Sequence, residues 1–428
     1  MPIHWSVGEG MSAHGRTWQR PPDAAEIEQV LRQGLPEEAF RGRKVLVVTP
    51  DGTRTCPLPS LVRALGRVLG GPAARLDFMV ALGSHPVMSD AEVLRLYGLE
   101  AGQAGSLFPR SRFLCHRWDL PGTLTALGTI EAGEIESLTS GLFREPVTVD
   151  INRAVFDYDL LVLLGPVFPH EVAGYSGGNK YLFPGISGGP FLHFTHWLGA
   201  VITCLQTIGR KDTPVRRLLD RAAALLAIPR LGMSAVVAEG GRLAGLYAGP
   251  VEEAWSRAAD LAAAVHVRTR PGPFHTVLGV APRMYDELWV GGKVMYKLEP
   301  VVADGGRLII YAPHLREVSR TWGELIGRVG YHVRDYFLRQ WELFRGLPWA
   351  VLAHSTHVKG TGSFQDGVEA PRIEVVLATG LPEELCRKLN LGWLDPAGVR
   401  LEDYRSREEQ GILLVDPAGE TLYRVGPG

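Results

Sequence analysis

The chain has 428 residues, more than one hydrophobic core usually serves, so two domains are expected. Its 46% hydrophobic and 21% charged content is that of an ordinary soluble globular protein. A net charge of −1 argues against nucleic acid or an anionic membrane as the main partner, so any basic groups must act locally.

The four cysteines, Cys56, Cys115, Cys204 and Cys386, are scattered and form no C-x-x-C pair. That spacing fits a reducing compartment and speaks against a disulfide framework or a cysteine-rich metal site. The opening residues 1–5 show no basic segment followed by an apolar core, so no signal peptide is expected. The apolar stretch at 197–208 is shorter than the roughly 20 residues a membrane span needs. A cytoplasmic protein is the expectation.

Apolar runs bounded by turn residues alternate with longer amphipathic segments, the pattern of an α/β protein with largely parallel sheets. Residues 44–49 predict a buried strand, 50–59 a loop and 60–69 a helix. Residues 76–82 predict the next strand, followed by Gly83-Ser84-His85-Pro86. A helix opens at Ser89, where Glu92 three residues on completes a capping box. Residues 159–164 predict a third strand, whose loop leads into His170-Glu171-Val172-Ala173-Gly174-Tyr175-Ser176-Gly177-Gly178-Asn179-Lys180, then Pro184-Gly185, His193 and His196. Residues 268–273 read as a linker, which divides the chain into domains at 1–268 and 274–428. The second domain is expected to close over a substrate held in an interdomain cleft, and the last segment is also a candidate to pack back on the first domain. Beyond the linker the pattern predicts strands at 276–280, 307–311, 350–353 and 373–378. A helix is predicted at 292–299 and a terminal hairpin at 412–425 turning at 416–419.

Ligands in open α/β sheets bind at the carboxyl ends of strands. Three such ends here carry Asp51 and Arg54, then His85, then His170 and Lys180. A guanidinium suits bidentate recognition of a carboxylate, and Asp51 could orient it; the alternative is a local Asp–Arg pair shaping a turn. Two imidazoles facing a ligand from opposite sides can alternate as acid and base, because their reference pKa lies near neutrality. Glycines at 174, 177 and 178 permit positive φ and a close approach to a bound group. Lys180 beside that turn can neutralise a phosphate or act as a nucleophile. His193 and His196 share one face of a helix beginning near 189, where one or both could bind a metal; ordinary ring packing is the other reading. His354 and His357 are read as part of a solvated loop at a strand end. Lys293 at a helix start opposes the macrodipole, which hints at an anionic ligand.

Together these elements resemble the nickel-pincer-nucleotide lactate racemase family. The match rests on Asp51-x-x-Arg54, on Gly83-Ser84-His85, and above all on His170 through Lys180 with Pro184-Gly185 and His196. It covers residues 44–200, with a weaker extension over 286–306. The resemblance implies a pyridinium mononucleotide with two thiocarbonyl arms, attached covalently to Lys180. Its nickel would be bound by one carbon and two sulfurs of the cofactor and by His196. His85 and His170 would be the acid/base pair, Arg54 and Lys293 would hold the substrate, and Asp51 would be an accompanying active-site carboxylate. The turn of Gly174, Ser176, Gly177 and Gly178 would lie close to the nucleotide. The implied reaction inverts C2 of a 2-hydroxy acid by reversible hydride transfer, and separate proteins would synthesise the cofactor. Three positions stand out. Val290 occupies the family's usual glutamine position, which points to a related 2-hydroxy acid rather than lactate. Pro86 stands where a basic residue commonly follows the histidine, and Trp341 matches an aromatic wall. A pyridoxal phosphate Schiff base on Lys180, or a non-catalytic nucleotide or hydroxy-acid binding protein, remain alternatives.

Overall fold

The computed structural model describes residues 11–426 apart from Ser84 and the side chain of Ala101. Residues 1–5, read above for a leader, and Ser84 of the Gly83-Ser84-His85 motif lie outside the described residues. The chain forms two compact units. The first comprises Met1–Phe168, Tyr175–Leu192 and Arg216–Val265; the second comprises Pro169–Gly174, His193–Val215 and His266–Gly428. The second unit therefore takes two segments from within the stretch 1–268.

The first unit is built on a seven-stranded sheet in the order His14–Thr17, Leu243–Pro250, Arg230–Val237, Leu160–Pro166, Lys44–Thr49, Arg75–Val80, Phe113–Cys115. Its five last-named strands pair in parallel, and only the two edge pairings at the other side are antiparallel. Lys44–Thr49 and Leu160–Pro166 are nearly continuous apolar runs because helices cover a parallel sheet on both faces. The helix Leu58–Leu69 buries Leu58, Leu61, Val62, Leu65, Val68 and Leu69, the i, i+3, i+4 stripe that a core-facing helix requires. Ser89 caps the helix Asp90–Leu96, and Glu92 reaches back to the Ser89 backbone as expected.

The second unit carries a five-stranded, wholly parallel sheet in the order Gly392–Trp393, Glu374–Thr379, Val302–Ala312, Phe274–Val280, Ile412–Val415. The α/β class with largely parallel sheets is thus as the sequence reads. Three local expectations are corrected. The apolar residues 350–353 are not a strand; they open the helix Trp349–Lys359, in which every residue from Ala350 on is buried. The terminal strands do not form a hairpin: Ile412–Val415 pairs with Phe274–Val280, and Leu422–Val425 with Val267–Arg270. That last pairing makes the first half of the expected 268–273 linker a strand. Among the described residues no helix is long and apolar enough to cross a membrane.

Candidate active site

In the first unit, the loops after three adjacent parallel strands gather Asp51, Arg54, His85 and Lys180. Asp51 follows Lys44–Thr49, and His85 follows the neighbouring Arg75–Val80. The Asp51 carboxylate meets His85 Nδ1 in a short hydrogen bond and also accepts from the Thr53 N–H at 3.1 Å and hydroxyl at 2.7 Å. Burial works against a charged Asp51, yet the His85 charge and the hydrogen bonds from His85 and Thr53 hold its pKa far below the usual carboxylate range. Arg54 is partly exposed and forms no hydrogen bond or ion pair with another described residue. The expected local Asp51–Arg54 pair is therefore not what shapes this turn. Asp51 uses its oxygens on His85 and Thr53.

Lys180 sits in the short helix Gly178–Tyr181. Tyr181 hydrogen-bonds to the Pro166 carbonyl at 3.2 Å, which fixes this helix at the carboxyl end of Leu160–Pro166. Burial pushes the Tyr181 phenol well up, while the Arg54 charge pulls it down and Asp51 raises it further. Tyr181, and with it the Lys180 helix, thus lies within reach of the charges of the Asp51–Arg54 loop. Ser176 is buried with its Oγ between the Pro166 carbonyl at 3.0 Å and the Phe168 N–H at 2.9 Å, so it braces the turn. Gly177 has φ 85°, and a Cβ there would meet Val167 at 2.8 Å. Gly174 has φ 80°, and a Cβ there would collide with the Arg210 carbonyl oxygen. At both positions the close approach seen here is to the protein's own chain.

Sequence reasoning missed what clasps this turn. Arg216 is 3% exposed and donates to the Tyr175 carbonyl at 2.6 Å and the Gly177 carbonyl at 3.3 Å. Its guanidinium lies over the Trp255 ring at 4.1 Å, and Trp255 Nε1 donates to the Ser176 carbonyl at 2.8 Å. Burial lowers the Arg216 pKa to about 10 against the opposing pull of Asp220 and Glu252. Arg216 and Trp255 lie 36 and 75 residues beyond Lys180, so no local pattern announces them.

In the second unit, His170 is 3% exposed, its Nδ1 accepting the Val172 N–H at 3.1 Å, with Glu171 Oε2 at 3.4 Å. The segment holding His170 is touched by two helices. Gly199 of Gly189–Ile202 packs so tightly on Val172 that a Cβ would stand 3.0 Å from it. Lys297 of Lys293–Leu298 donates to the Pro169 carbonyl at 2.6 Å. These contacts bring together the elements that carry His170, His196 and Lys293. Lys293 is 7% exposed with its Nζ 5.0 Å from the Tyr285 ring centroid. Val290 is buried in this unit's core. Trp341 stacks on Trp197, the residue after His196, with centroids 5.3 Å apart and planes at 9°.

The two H-x-x-H pairs separate by environment. His193 accepts the Ala350 N–H at 3.3 Å and packs edge-on to Trp322, as the ring-packing reading expects, and burial lowers its pKa. His196 is partly exposed on the same helix. His354 and His357 are not on a solvated loop, contrary to expectation; both are buried in the helix Trp349–Lys359. His354 bonds the hydroxyls of Tyr296 at 3.0 Å and Tyr331 at 3.2 Å. Burial drives its pKa down to about 3 with help from His357 and His196, and burial lowers His357 to about 4. Among the described residues no group of three or more His, Cys, Asp and Glu side chains is arranged to hold a metal ion.

These features define an α/β protein with an Asp–His dyad, an unpaired arginine and a lysine-bearing turn at the carboxyl edge of a parallel sheet. Residues 14–204 match the family model of the lactate racemase N-terminal domain, so the resemblance read from the motifs holds over that stretch. The lactate racemase of Lactiplantibacillus plantarum is 24% identical over 186 residues, 42% of this chain and 39% of that protein. The lactate racemase of Thermoanaerobacterium thermosaccharolyticum is 22% identical over 283 residues, 64% of this chain and 61% of that protein. The matches thus span less than two thirds of either relative. Among solved structures, a Thermotoga maritima protein superposes with a TM-score of 0.86 at 29% identity, covering 95% of this chain and 99% of its own. The lactate racemase apoprotein from T. thermosaccharolyticum shares the fold, with a TM-score of 0.71 at 18% identity over 98% and 96% of the two chains.

Proposed function

We infer that this protein is a cytoplasmic racemase or epimerase that inverts C2 of a 2-hydroxycarboxylic acid with a nickel pincer nucleotide on Lys180. The observation that carries the reading is the Asp51–His85 pair, set beside an unpaired Arg54 and the Lys180 helix at one sheet edge. The residues fit such a cofactor. Lys180 is partly exposed for attachment, and His196 offers a single imidazole where a metal takes its remaining donors from the cofactor. When bound, the cofactor supplies the acceptor and return donor for the C2 hydrogen with its electron pair.

The chain's own residues handle the carboxylate and the hydroxyl proton. Arg54 presents two parallel N–H donors to the substrate carboxylate, and Lys293 adds a second positive charge. In this reading the two histidines start in opposite tautomers. His85 points Nδ1–H at the Asp51 carboxylate, which leaves Nε2 with a lone pair to take the hydroxyl proton. His170 uses Nδ1 as an acceptor for Val172, so the neutral ring carries its proton on Nε2 and is set to donate it. Inversion of C2 needs one base and one acid, and the two rings exchange those states at each turnover. Trp341 on Trp197 makes the aromatic wall that excludes water. Val290 in place of an amide favours a substrate other than lactate.

The test is made on protein co-produced with cofactor-synthesis proteins. Intact mass and metal analysis should give one nucleotide adduct on Lys180 with two sulfurs and one nickel. His85→Gln and His170→Gln should each abolish inversion and exchange of the α-deuterium. Inversion that survives in both variants would reject the assignment, and borohydride trapping of an aldimine on Lys180 would replace it with Schiff-base chemistry.

A further inference from the structure

The second unit contains a cavity of about 300 Å³ that none of the proposed active-site residues lines. Its walls come from the C-terminal ends of two helices. Thr203 directly follows Gly189–Ile202, and Thr356 and His357 lie in the last turn of Trp349–Lys359. Helix C-termini present carbonyl oxygens and partial negative charge. The cavity also receives Glu299, 1% exposed, whose Oε1 accepts from the Thr361 N–H at 2.9 Å and hydroxyl at 3.2 Å. The Arg372 guanidinium stands 3.8 Å from that oxygen, and burial still raises the Glu299 pKa.

Two further acceptors are buried there without partners. His357 is 4% exposed and Thr356 5%, and neither His357 Nε2 nor Thr356 Oγ1 has a hydrogen-bond partner among the described residues. A buried polar group left without a partner is destabilising, so their presence together asks for a ligand. A neutral imidazole offers Nε2 as an acceptor. Arg334 also lines the cavity, with three of its five N–H donors engaged by the Asp335 carboxylate at 3.0 Å and the Val201 carbonyl at 3.0 Å and its charge balanced by Asp335. Thr203 holds φ 87°, a left-handed conformation that a β-branched residue adopts only under constraint, as at binding sites. Leu205 supplies an apolar wall.

Acceptors and negative potential thus outweigh donors, in a space at the small end of ligand pockets. We propose that this cavity binds a small organic ammonium ion, whose N–H groups face Glu299, Thr356 and His357 while its carbon chain lies against Leu205. Such an ion would add a second, closer positive charge to the one Arg372 sets 3.8 Å from the buried carboxylate, and would satisfy both orphaned acceptors at once. The site stands apart from the racemase reading and does not depend on it.

The probe is ethanolammonium chloride, titrated into the full chain and followed by thermal unfolding and calorimetry, with sodium chloride, potassium chloride and sodium acetate at matched ionic strength. The expected result is a saturable rise in unfolding temperature with ethanolammonium alone. Glu299→Gln should weaken binding by about tenfold or more. Thr356→Val, isosteric and free of the orphaned hydroxyl, should leave the unliganded protein at least as stable while weakening binding several-fold; it decides the matter if Glu299→Gln does not fold. The proposal is overturned by the absence of a saturable rise, by an equal rise with potassium or acetate, or by unchanged binding in the variants.

Discussion

The Asp51 carboxylate and His85 Nδ1 share a hydrogen bond across the carboxyl ends of two neighbouring parallel strands. The bond fixes the tautomer of His85 and keeps Asp51 ionised despite its burial. An aspartate buried at such a site carries a desolvation cost, which the imidazole and Thr53 offset.

Asp51→Asn should therefore lower the inversion rate by about 10²–10⁴-fold with little change in substrate binding, because the amide can present its NH₂ to Nδ1 and reverse the tautomer. It should also change stability in acid. A carboxyl whose folded pKa is depressed contributes stability above its unfolded pKa, near 4, and loses it as pH falls toward the folded value. The variant should show a flatter stability profile below about pH 4 by urea unfolding, and a profile identical to the parent's would remove the ionised Asp51.

His354 and His357 titrate in the opposite chemical sense but with the same slope. Both stay neutral when folded, with pKa values lowered to about 3 and about 4, whereas the unfolded rings protonate near 6.5. The unfolded chain then binds more protons throughout that interval, so stability should fall as pH drops from about 6.5 to about 4, by on the order of a few kcal/mol. His357→Asn should reduce the slope, and equal slopes in parent and variant would contradict a buried neutral ring.

Arg216 ties the carbonyls of Tyr175 and Gly177 to one buried cation. Arg216→Met keeps the apolar stem but removes a buried cation from beside Asp220 and Glu252, leaving Arg230 and the Asn179 amide as their partners, and frees two buried carbonyls, so unfolding free energy should drop by about 3–5 kcal/mol. Arg216→Lys should recover only part of this, since an ammonium cannot span both carbonyls. Denaturant midpoints of the three proteins provide the comparison.

Gly174→Ala tests the turn from the other side. Positive φ and the Arg210 carbonyl oxygen together leave no place for a methyl group. The variant should lose more than about 2 kcal/mol or fail to accumulate as folded protein. Parent-like stability would show that the turn has room to spare.

Much of the first unit was legible because its signals are local. The run Lys44–Thr49 is a buried strand with the bounds its composition suggests, and Ser89 with Glu92 caps a helix as two side chains three residues apart must. The motif residues Asp51, His85 and Lys180 follow strands that the hydrophobic pattern marks, so the alternation of elements brought them to one sheet edge. The second unit was read less well. Ala350, Val351, Leu352 and Ala353 form a short apolar run that fits a strand or a buried helix equally, and only packing on every side decided for the helix. His354, His357 and Lys359 look like surface residues by type, yet all three are buried; hydroxyl and carbonyl partners distant in sequence hold His354 and Lys359 inside, while His357 packs against the Tyr296 ring.

By itself the sequence determined the class of fold, the strands that carry Asp51, His85 and Lys180, and the residue types available for acid/base and carboxylate chemistry. These follow from hydrophobic period, caps and composition, which act over a few residues. Tertiary structure alone decided which groups the ring nitrogens of His85 and His170 meet, what fills the space beside the glycines, and where the terminal strands pair. Those outcomes depend on groups tens to hundreds of residues apart, whose hydrogen bonds and close contacts exist only once the chain has folded.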